Sequence, residues 1–472
     1  MNFQKKLNNP IFKIVSKVSD RLNIPSFVVG GWVRDMILDR KRKVTDIDFV
    51  CIGSGIELAK NVAEELKGAE YKFFKNFGTA MVNLNGENYE FVGARKESYR
   101  DNSRKPLVED GSLEDDQNRR DFTINAMSIQ LNKNKYGKFI DPFNGIQDLE
   151  EKIIRTPLDP DITFSDDPLR MMRAVRFASE LNFTISNKTL EAISRNTKRL
   201  SIISQERITD ELNKIILSDV PSKGFKILFN TKLLHEFFIE FTYLQGVEII
   251  NNHAHKDNFY HTLEVLDNIS LKTSDLWLRW AAILHDIAKP QTKKYEKIGG
   301  WTFHGHEFIG SKMTPKIFKK LKLPLNQKMQ YVKKLVALHL RPIVLAQEIV
   351  TDSAIRRLLF DAGNDIEDLM ILCDADITSK NPNKVKKYLS NFQLVRKKLL
   401  EVEEKDRVRN FQPPIDGNEI MEMFTVSSGK QIGLLKHAIK EAILDGIVKN
   451  EKSDAIEFLK IKAKELNIEI SK

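Results

Sequence analysis

Two glycines followed by two aspartates constrain this chain more than any other feature. Ser26-Phe-Val-Val29 is a short apolar run, Gly30-Gly31 interrupts it, and Trp32-Val-Arg-Asp-Met-Ile-Leu38 then takes up helical spacing. A glycine pair between strand and helix lets the backbone approach a ligand, and the N–H groups that open a helix favour phosphate. The next apolar run, Val44 to Val50, reads as a second strand. Its period of two sets Asp46 and Asp48 on one face and Ile47 and Phe49 on the other. Neighbouring carboxylates repel unless a cation joins them. Hard oxygen donors suit Mg²⁺, and Mg²⁺ beside a phosphate cradle is the equipment of phosphoryl or nucleotidyl transfer. Two solvated acids on a hairpin are the competing reading of Asp-x-Asp taken alone.

The flanking sequence builds a domain around that unit. Ile11, Ile14, Val15, Val18 and Leu22 predict a helix over 11–22, and a second helix is expected from Ile56 to Leu66. Strands are predicted from Phe77 to Leu84 and from Asn88 to Ala94, joined by an Asn85-Gly86 turn. The second of these carries Glu90, a third acid for the Asp46/Asp48 edge. Residues 96–118 are polar and read as a loop. Arg119-Arg-Asp-Phe-Thr-Ile-Asn-Ala-Met127 is expected to open a helix with Phe122, Ile124 and Met127 inward. Paired arginines and an aspartate at such a start suit a triphosphate and a ribose hydroxyl, with an ordinary exposed helix cap as the alternative.

From about Glu150 the pattern turns helical. Ser165-Asp-Asp-Pro-Leu-Arg170 reads as a capped helix start with Pro168 near its first position. Asp167 and Arg170 are three apart and share a face that Arg173 and Arg176 continue. Such a pair is either a surface ion pair of small worth or a reader of base edges. A carboxylate accepts from the amine of C or A while a guanidinium donates to the acceptor beside it; U and G present the opposite pattern. Farther on, most of the nine histidines fall in one segment. His261, His285-Asp286, His306, His339 and Asp376 form a dispersed series on predicted helices, with His304 and Asp374 as near alternatives. Imidazole and carboxylate together suit divalent transition metals.

The totals set outer bounds. A chain of 472 residues exceeds one ordinary core, so several domains are expected. Net charge of +10 and a sequence pI near 9.2 make polyanions plausible partners. Cys51 and Cys373 stand far apart and give neither a zinc pattern nor a disulfide framework. No long uncharged apolar run predicts a membrane span, and the first residues lack a signal peptide's apolar core, so the expected location is cytoplasmic.

In this order and spacing the motifs resemble the class II nucleotidyltransferases of the bacterial tRNA CCA-adding enzyme and poly(A) polymerase group, of the polymerase β superfamily. Gly30-Gly31-x-Val33-Arg34-Asp35 with Asp46-x-Asp48 resembles the catalytic metal motif, and Arg119-Arg120-Asp121 through Asn125-Ala126 the ribose-selecting motif. Asp166-Asp167-x-x-Arg170 resembles the amino-acid template for incoming CTP and ATP, with Asp166 where glutamate is usual. Residues 251 to about 390 resemble an HD metal-dependent phosphohydrolase domain, His261, His285, Asp286 and Asp376 matching its minimal set and His306 and His339 the extra ligands of fuller sites.

The resemblance implies an α+β fold: a polymerase β-like head with a small mixed sheet, then all-α neck, body, HD and tail domains. The expected divisions are 1–149, 150–250, 251–390 and 391–472. It further implies tRNA, CTP and ATP as partners, two Mg²⁺ ions on Asp46 and Asp48 with Glu90 assisting, and a divalent metal in the HD domain. Gly30, Gly31 and Arg34 would position the triphosphate, Arg120, Asp121 and Asn125 the ribose, and Asp167 and Arg170, continued by Arg173 and Arg176, the base. Poly(A) polymerases and enzymes adding only CC or only A share these motifs. A chain acting mainly through its HD domain is a further alternative.

Overall fold

The computed structural model describes residues 1–40, 46–75, 78–100, 103–251, 253–346, 351–379, 381–406, 409, 411–424 and 429–469. Val44, Thr45 and Phe77, read above as strand ends, lie outside them. The chain forms two compact units, Met1–Ile239 and Glu240–Lys472.

The first unit opens with helix α1 (Pro10–Arg21), whose start is fixed by Pro10 at N1 and by Asn9, whose side-chain oxygen accepts from Ile11 N at 3.0 Å. Strand β1 (Ser26–Val29), helix α2 (Gly31–Ile37), strand β2 (Asp46–Cys51) and helix α3 (Gly55–Glu65) follow. Strands β3 (Glu70–Phe74), β4 (Thr79–Leu84) and β5 (Glu87–Gly93) form a meander. Its second turn is Asn85-Gly86, both with positive φ, as a tight hairpin demands. With β6 (Arg95–Arg100), β7 (Ser103–Asp110), helix α4 (Leu113–Asn118), β8 (Ser128–Gln130) and β9 (Phe139–Ile140), the head is complete.

The seven-stranded sheet runs β3-β4-β5-β2-β1-β8-β9, and only the β2–β5 pair is parallel. That single parallel pair sets Glu90 opposite Asp48 and Asn88 opposite Asp46. On the other side of β2, Asp48 pairs with Val29, the last strand residue before Gly30. The sheet therefore delivers three acids and the glycine turn to one place. Ile47 and Phe49 point the other way, where Phe49 stacks on Phe91 at 4.8 Å and meets Phe12 edge-on. Each fully buried phenyl contributes roughly 1.5–3 kcal/mol, and it is this face that fixes the register of β2.

Two expectations need correction. The described residues of 96–118 are not a loop: β6 and β7 pair with each other, Arg95 opposite Asp110 and Lys96 opposite Glu109, and α4 follows with a Ser112–Asp115 capping box. Arg119 to Met127 does not open a helix. Arg119 closes α4, only Thr123–Asn125 forms a 3₁₀ turn, and the chain enters β8. Phe122, Ile124 and Met127 are nonetheless fully buried, as expected.

After helix α5 (Gly145–Glu150), helix α6 (Pro160–Asp166) leads directly into helix α7 (Leu169–Glu180). Pro168 is itself the N-cap residue of α7, and Asp167 Oδ1 accepts from Leu169 N at 3.2 Å. Helices at Asn187–Asn196, Gln205–Ile216, Pro221–Asn230 and Leu233–Phe237 follow in the same unit.

The second unit is helical apart from short hairpins. Helices Asn258–Ser270 and Leu276–Leu284 begin on Asp257 and Asp275, each accepting from two backbone N–H groups. His261, His306 and Asp376 of the buried histidine cluster lie on helices Asn258–Ser270, His306–Lys320 and Ile366–Asp376, and His285 and His339 directly follow Leu276–Leu284 and Gln327–Leu338; helices Asp352–Ala362, Pro382–Asp406, Gly429–Leu444 and Lys452–Glu465 are also present. Among the described residues no helix is long and apolar enough to cross a membrane.

Candidate active site and metal centre

At the head, a cleft of about 510 Å³ is lined by Gly30, Gly31, Arg34, Asp46, Asp48, Glu90, Arg120, Asp121, Asn125, Arg173 and Arg176, with Trp32, Ile47, Met81, Asn88 and Phe177 completing it. Gly30 is where three parts meet. Its φ of 73° disfavours a side chain, and a Cβ there would stand 3.1 Å from Asp48 Oδ2 and 3.2 Å from Arg120 Nη1.

The acids form one rim. Asn88 Nδ2 donates to Asp46 Oδ1 at 3.2 Å and is itself held by Asn83. Partial burial and the charge of Asp48, with Asp46 adding to it, raise the Glu90 carboxyl; Arg95 opposes them. Three neighbouring hard oxygen donors on an open cleft fit a hard divalent cation.

The opposite wall is cationic and held by buried hydrogen bonds. Arg34 is 1 % exposed, its Nη1 donating to Asn125 Oδ1 at 2.8 Å and its Nε to Asp35 Oδ1 at 2.9 Å. Asp116, fully buried, anchors both Arg119 and Arg120. Burial alone would raise Asp116, but Arg120 and Arg119 outweigh it and hold the carboxylate ionised. Asp121 accepts from Asn125 Nδ2 at 3.0 Å and from Arg173 Nη2 at 2.6 Å. Its burial is likewise overcome, chiefly by Arg173, and its carboxyl is pulled down to about 2. Arg34, Arg173 and Arg176 all pack on the Phe177 ring, their guanidinium carbons 4.9, 5.4 and 4.0 Å from its centroid. One phenyl ring thereby gathers three like charges around it.

Asp167 and Arg170 do not line this cleft. Asp167 Oδ2 lies 4.0 Å from Arg207 Nη2. Arg170 donates to Thr163 O at 3.3 Å and to Arg119 O at 2.6 Å. Arg170 thus braces the end of α4, while Arg173 and Arg176, one and two turns on, reach the cleft.

In the second unit, His261, His285, Asp286, His306, His339 and Asp376 come together. His285 and Asp286 are 0 % and 1 % exposed. The two carboxylate oxygens of Asp286 face different histidines. Oδ2 lies 3.4 Å from His261 Nε2 and 3.3 Å from His285 Nε2; Oδ1 lies 3.2 Å from His306 Nε2 and 3.9 Å from His339 Nε2. Asp376 Oδ1 stands 2.9 Å from His261 Nε2 and 3.6 Å from His285 Nε2. Two sets, His261–His285–Asp286 and Asp286–His306–His339, each have donor atoms close enough to share a metal ion. The Nε2 of His285 is buried without a hydrogen bond, a lone pair left for a cation. The near alternatives fall outside: His304 is exposed, and Asp374 is taken by Lys272 and Arg396.

Comparison with known proteins finds three matched stretches. Residues 26–155 match the poly A polymerase head domain, 182–244 the probable RNA- and SrmB-binding site of polymerase A, and 258–381 the HD domain. The multifunctional CCA protein of Pseudomonas fluorescens (strain Pf-5) is 33% identical over 312 residues, 63% of this chain and 70% of that one. The chain belongs to the tRNA nucleotidyltransferase and poly(A) polymerase family. An A-adding tRNA nucleotidyltransferase of Aquifex aeolicus is 40% identical over 203 residues, but the match spans only 24% of that relative's length and 43% of this chain. The fold is that of the Bacillus stearothermophilus CCA-adding enzyme solved with CTP: TM-score 0.67 over 97% of this chain and 99% of that one, at 22% identity.

Within this family frame, the sequence reading missed Asp116, Phe177 and Asn88. Asp116 was one acid among many in a segment read as a loop. Phe177 stands one turn after Arg173 on the arginine face, a signal that an apolar residue at helical spacing hides. Asn88 shares a strand face with Glu90 and was passed over for want of charge.

Proposed function

We propose that this chain is a tRNA nucleotidyltransferase, extending a tRNA 3′ end with C, C and A from CTP and ATP and releasing pyrophosphate. The observation that carries the reading is one cleft with Asp46, Asp48 and Glu90 on its acidic rim and Gly30, Arg120 and the Asp121–Arg173 pair on its cationic wall. Asp46 and Asp48 would hold two Mg²⁺ ions, with Glu90 assisting. When bound, the ions lower the pKa of the primer hydroxyl and neutralise the leaving pyrophosphate.

The chain's own groups do the remaining work. The Gly30-Gly31 backbone and Arg34 border the triphosphate's place, and Arg120, fixed by Asp116, supplies charge there without having to reorganise. Asp121, kept ionised and oriented by Arg173 and Asn125, accepts from a ribose hydroxyl. Asp167 and Arg170 select C and A; this role requires Arg170 to leave the Thr163 and Arg119 carbonyls when the nucleotide enters. The helical stretch 150–250 serves as neck and body, 251–390 as the HD domain and the basic tail 391–472 as a tRNA contact. The HD cluster would hold a divalent metal and act on phosphoesters. A cytoplasmic location follows from a tRNA substrate.

A second reading has a specific motive: the Aquifex relative is A-adding. Both are tested by offering CTP, ATP, UTP and GTP, singly and together, to tRNA ending before its terminal triplet and to tRNA ending in CC, and sequencing the products. CCA ends are expected from CTP plus ATP. A single A added only to CC-ended tRNA would establish the A-adding alternative, and long A tails would establish poly(A) synthesis.

A further inference from the structure

Four imidazoles meet at the HD centre, and three are aimed by the same local device. His285, His306 and His339 each set Nδ1 against the carbonyl three residues earlier, on Ala282, Phe303 and Val336, at 2.7, 2.7 and 2.8 Å. Such a bond forms whenever its own turn forms. It makes Nδ1 the N–H and leaves the Nε2 lone pair facing the carboxylates.

His261 is held differently. Its Nδ1 lies 2.9 Å from the hydroxyl of Thr378, 117 residues away in the chain. Thr378 is buried and stands two residues beyond Asp376, which approaches the other ring nitrogen at 2.9 Å. One short segment thus grips both edges of the ring. Lys256 Nζ donates to the Thr378 hydroxyl and lies 3.2 Å from His261 Nδ1.

We infer that Thr378 is the positioning residue for His261 and that Lys256 holds the Thr378 hydroxyl in its accepting role. An ammonium has donors only, whereas a hydroxyl oxygen has two lone pairs. With both lone pairs used, one by Lys256 and one by the Nδ1–H of His261, the imidazole keeps Nε2 unprotonated and available as a ligand. If Lys256 donated straight to Nδ1, the proton would move to Nε2 and His261 would cease to be a ligand. The His261 side of Asp286 therefore depends on a tertiary contact, while the His306–His339 side depends on local turns. This inference rests on the metal reading of the HD centre.

The test uses the full-length chain titrated with Co²⁺ alone and read by visible absorption, with Thr378→Val, Thr378→Ser and Lys256→Met. Thr378→Val keeps the shape and removes the hydroxyl. It is expected to weaken Co²⁺ binding by about 10–100-fold, with Thr378→Ser restoring it to within about threefold of the unaltered chain and Lys256→Met falling between. The melting temperature of the metal-free Thr378→Val protein should match that of the unaltered chain, since orientation rather than packing is lost. Binding by Thr378→Val within about twofold of the unaltered chain overturns the proposal, and so does a serine variant as weak as the valine one. An unaltered chain that takes up no Co²⁺ at these histidines contradicts the metal reading, and the proposal with it.

Discussion

The head cleft and the HD centre both gather donors that suit cations, and they are built in opposite ways. The cleft is open, its donors are carboxylates on two neighbouring central strands, and they repel one another. The HD centre is closed, its donors are mostly imidazoles, and each ring is aimed by a hydrogen bond on its far nitrogen. An open oxygen site suits a hard, exchangeable ion that arrives with a nucleotide; a buried nitrogen-rich site suits a resident one. The contrast also runs through the supporting charges. Burial in the cleft is spent on Asp116 and Asp121, which orient arginines. In the HD centre the buried Asp286 and the partly buried Asp376 face the histidines directly.

The largest expected effect separates the two. Asp48→Ala should lower nucleotide incorporation by at least about a thousandfold, while leaving Co²⁺ uptake by the second unit unchanged. Asp286→Ala should do the reverse. Because Asp286 faces all four histidines, its loss should weaken HD metal binding by more than about 100-fold, beyond any other single ligand, with incorporation kept. Equal damage to both functions by either substitution would erase the distinction. Metal retained after dialysis and incorporation rate, measured on the same preparations, decide it.

A middle-sized effect is set by pH. Asp121 has its folded pKa pulled down to about 2. A carboxyl so depressed contributes stability that is fully present above its unfolded value near 4 and is lost as pH falls through 2. The contribution is roughly 2 kcal/mol. Asp121→Asn should therefore destabilise the protein at neutral pH and flatten its acid unfolding between about pH 4 and 2, read by thermal melts across that window. An unchanged acid limb would show that the Arg173 pair does not carry this stability.

The smallest effect has the opposite sign. Glu90 is raised, chiefly by partial burial and by Asp48, so its ionised form strains the metal-free head. Its unfavourable share is absent below the carboxylate range and grows as pH rises through the raised pKa. Glu90→Gln should raise the melting temperature slightly at pH 7, lose that gain near pH 4, and weaken Mg²⁺ binding. A melting temperature unchanged at both pH values would mean the three acids scarcely interact.

How far the sequence reached depends on how each region earns its burial. The β1–α2–β2 unit was readable because Ile47 and Phe49 alternate with Asp46 and Asp48, and because a glycine pair stands at the turn. The HD residues were readable from the rarity of histidine, and the structure takes His306 and Asp376 rather than His304 and Asp374. Residues 96–118 were not readable as a hairpin. β6 and β7 form a two-stranded sheet of their own, so no apolar alternation marks them. The segment 119–127 misled because Ile124 and Met127 stand three apart, as on a helix, whereas the buried bonds of Asp121 and Asn125 accompany a 3₁₀ turn instead. Thr378 could be found only through contacts, since it acts on a side chain 117 residues away; Asp116 stands three and four residues before the arginines it holds, a helical spacing hidden while its segment read as a loop.

The most direct test is a crystal of the protein grown with Mn²⁺ and a non-hydrolysable CTP analogue, with data collected at the manganese edge. The account predicts anomalous density between the carboxylates of Asp46 and Asp48, with the triphosphate against Gly30 and Arg120. A nucleotide bound there with no metal within reach of either aspartate would contradict it.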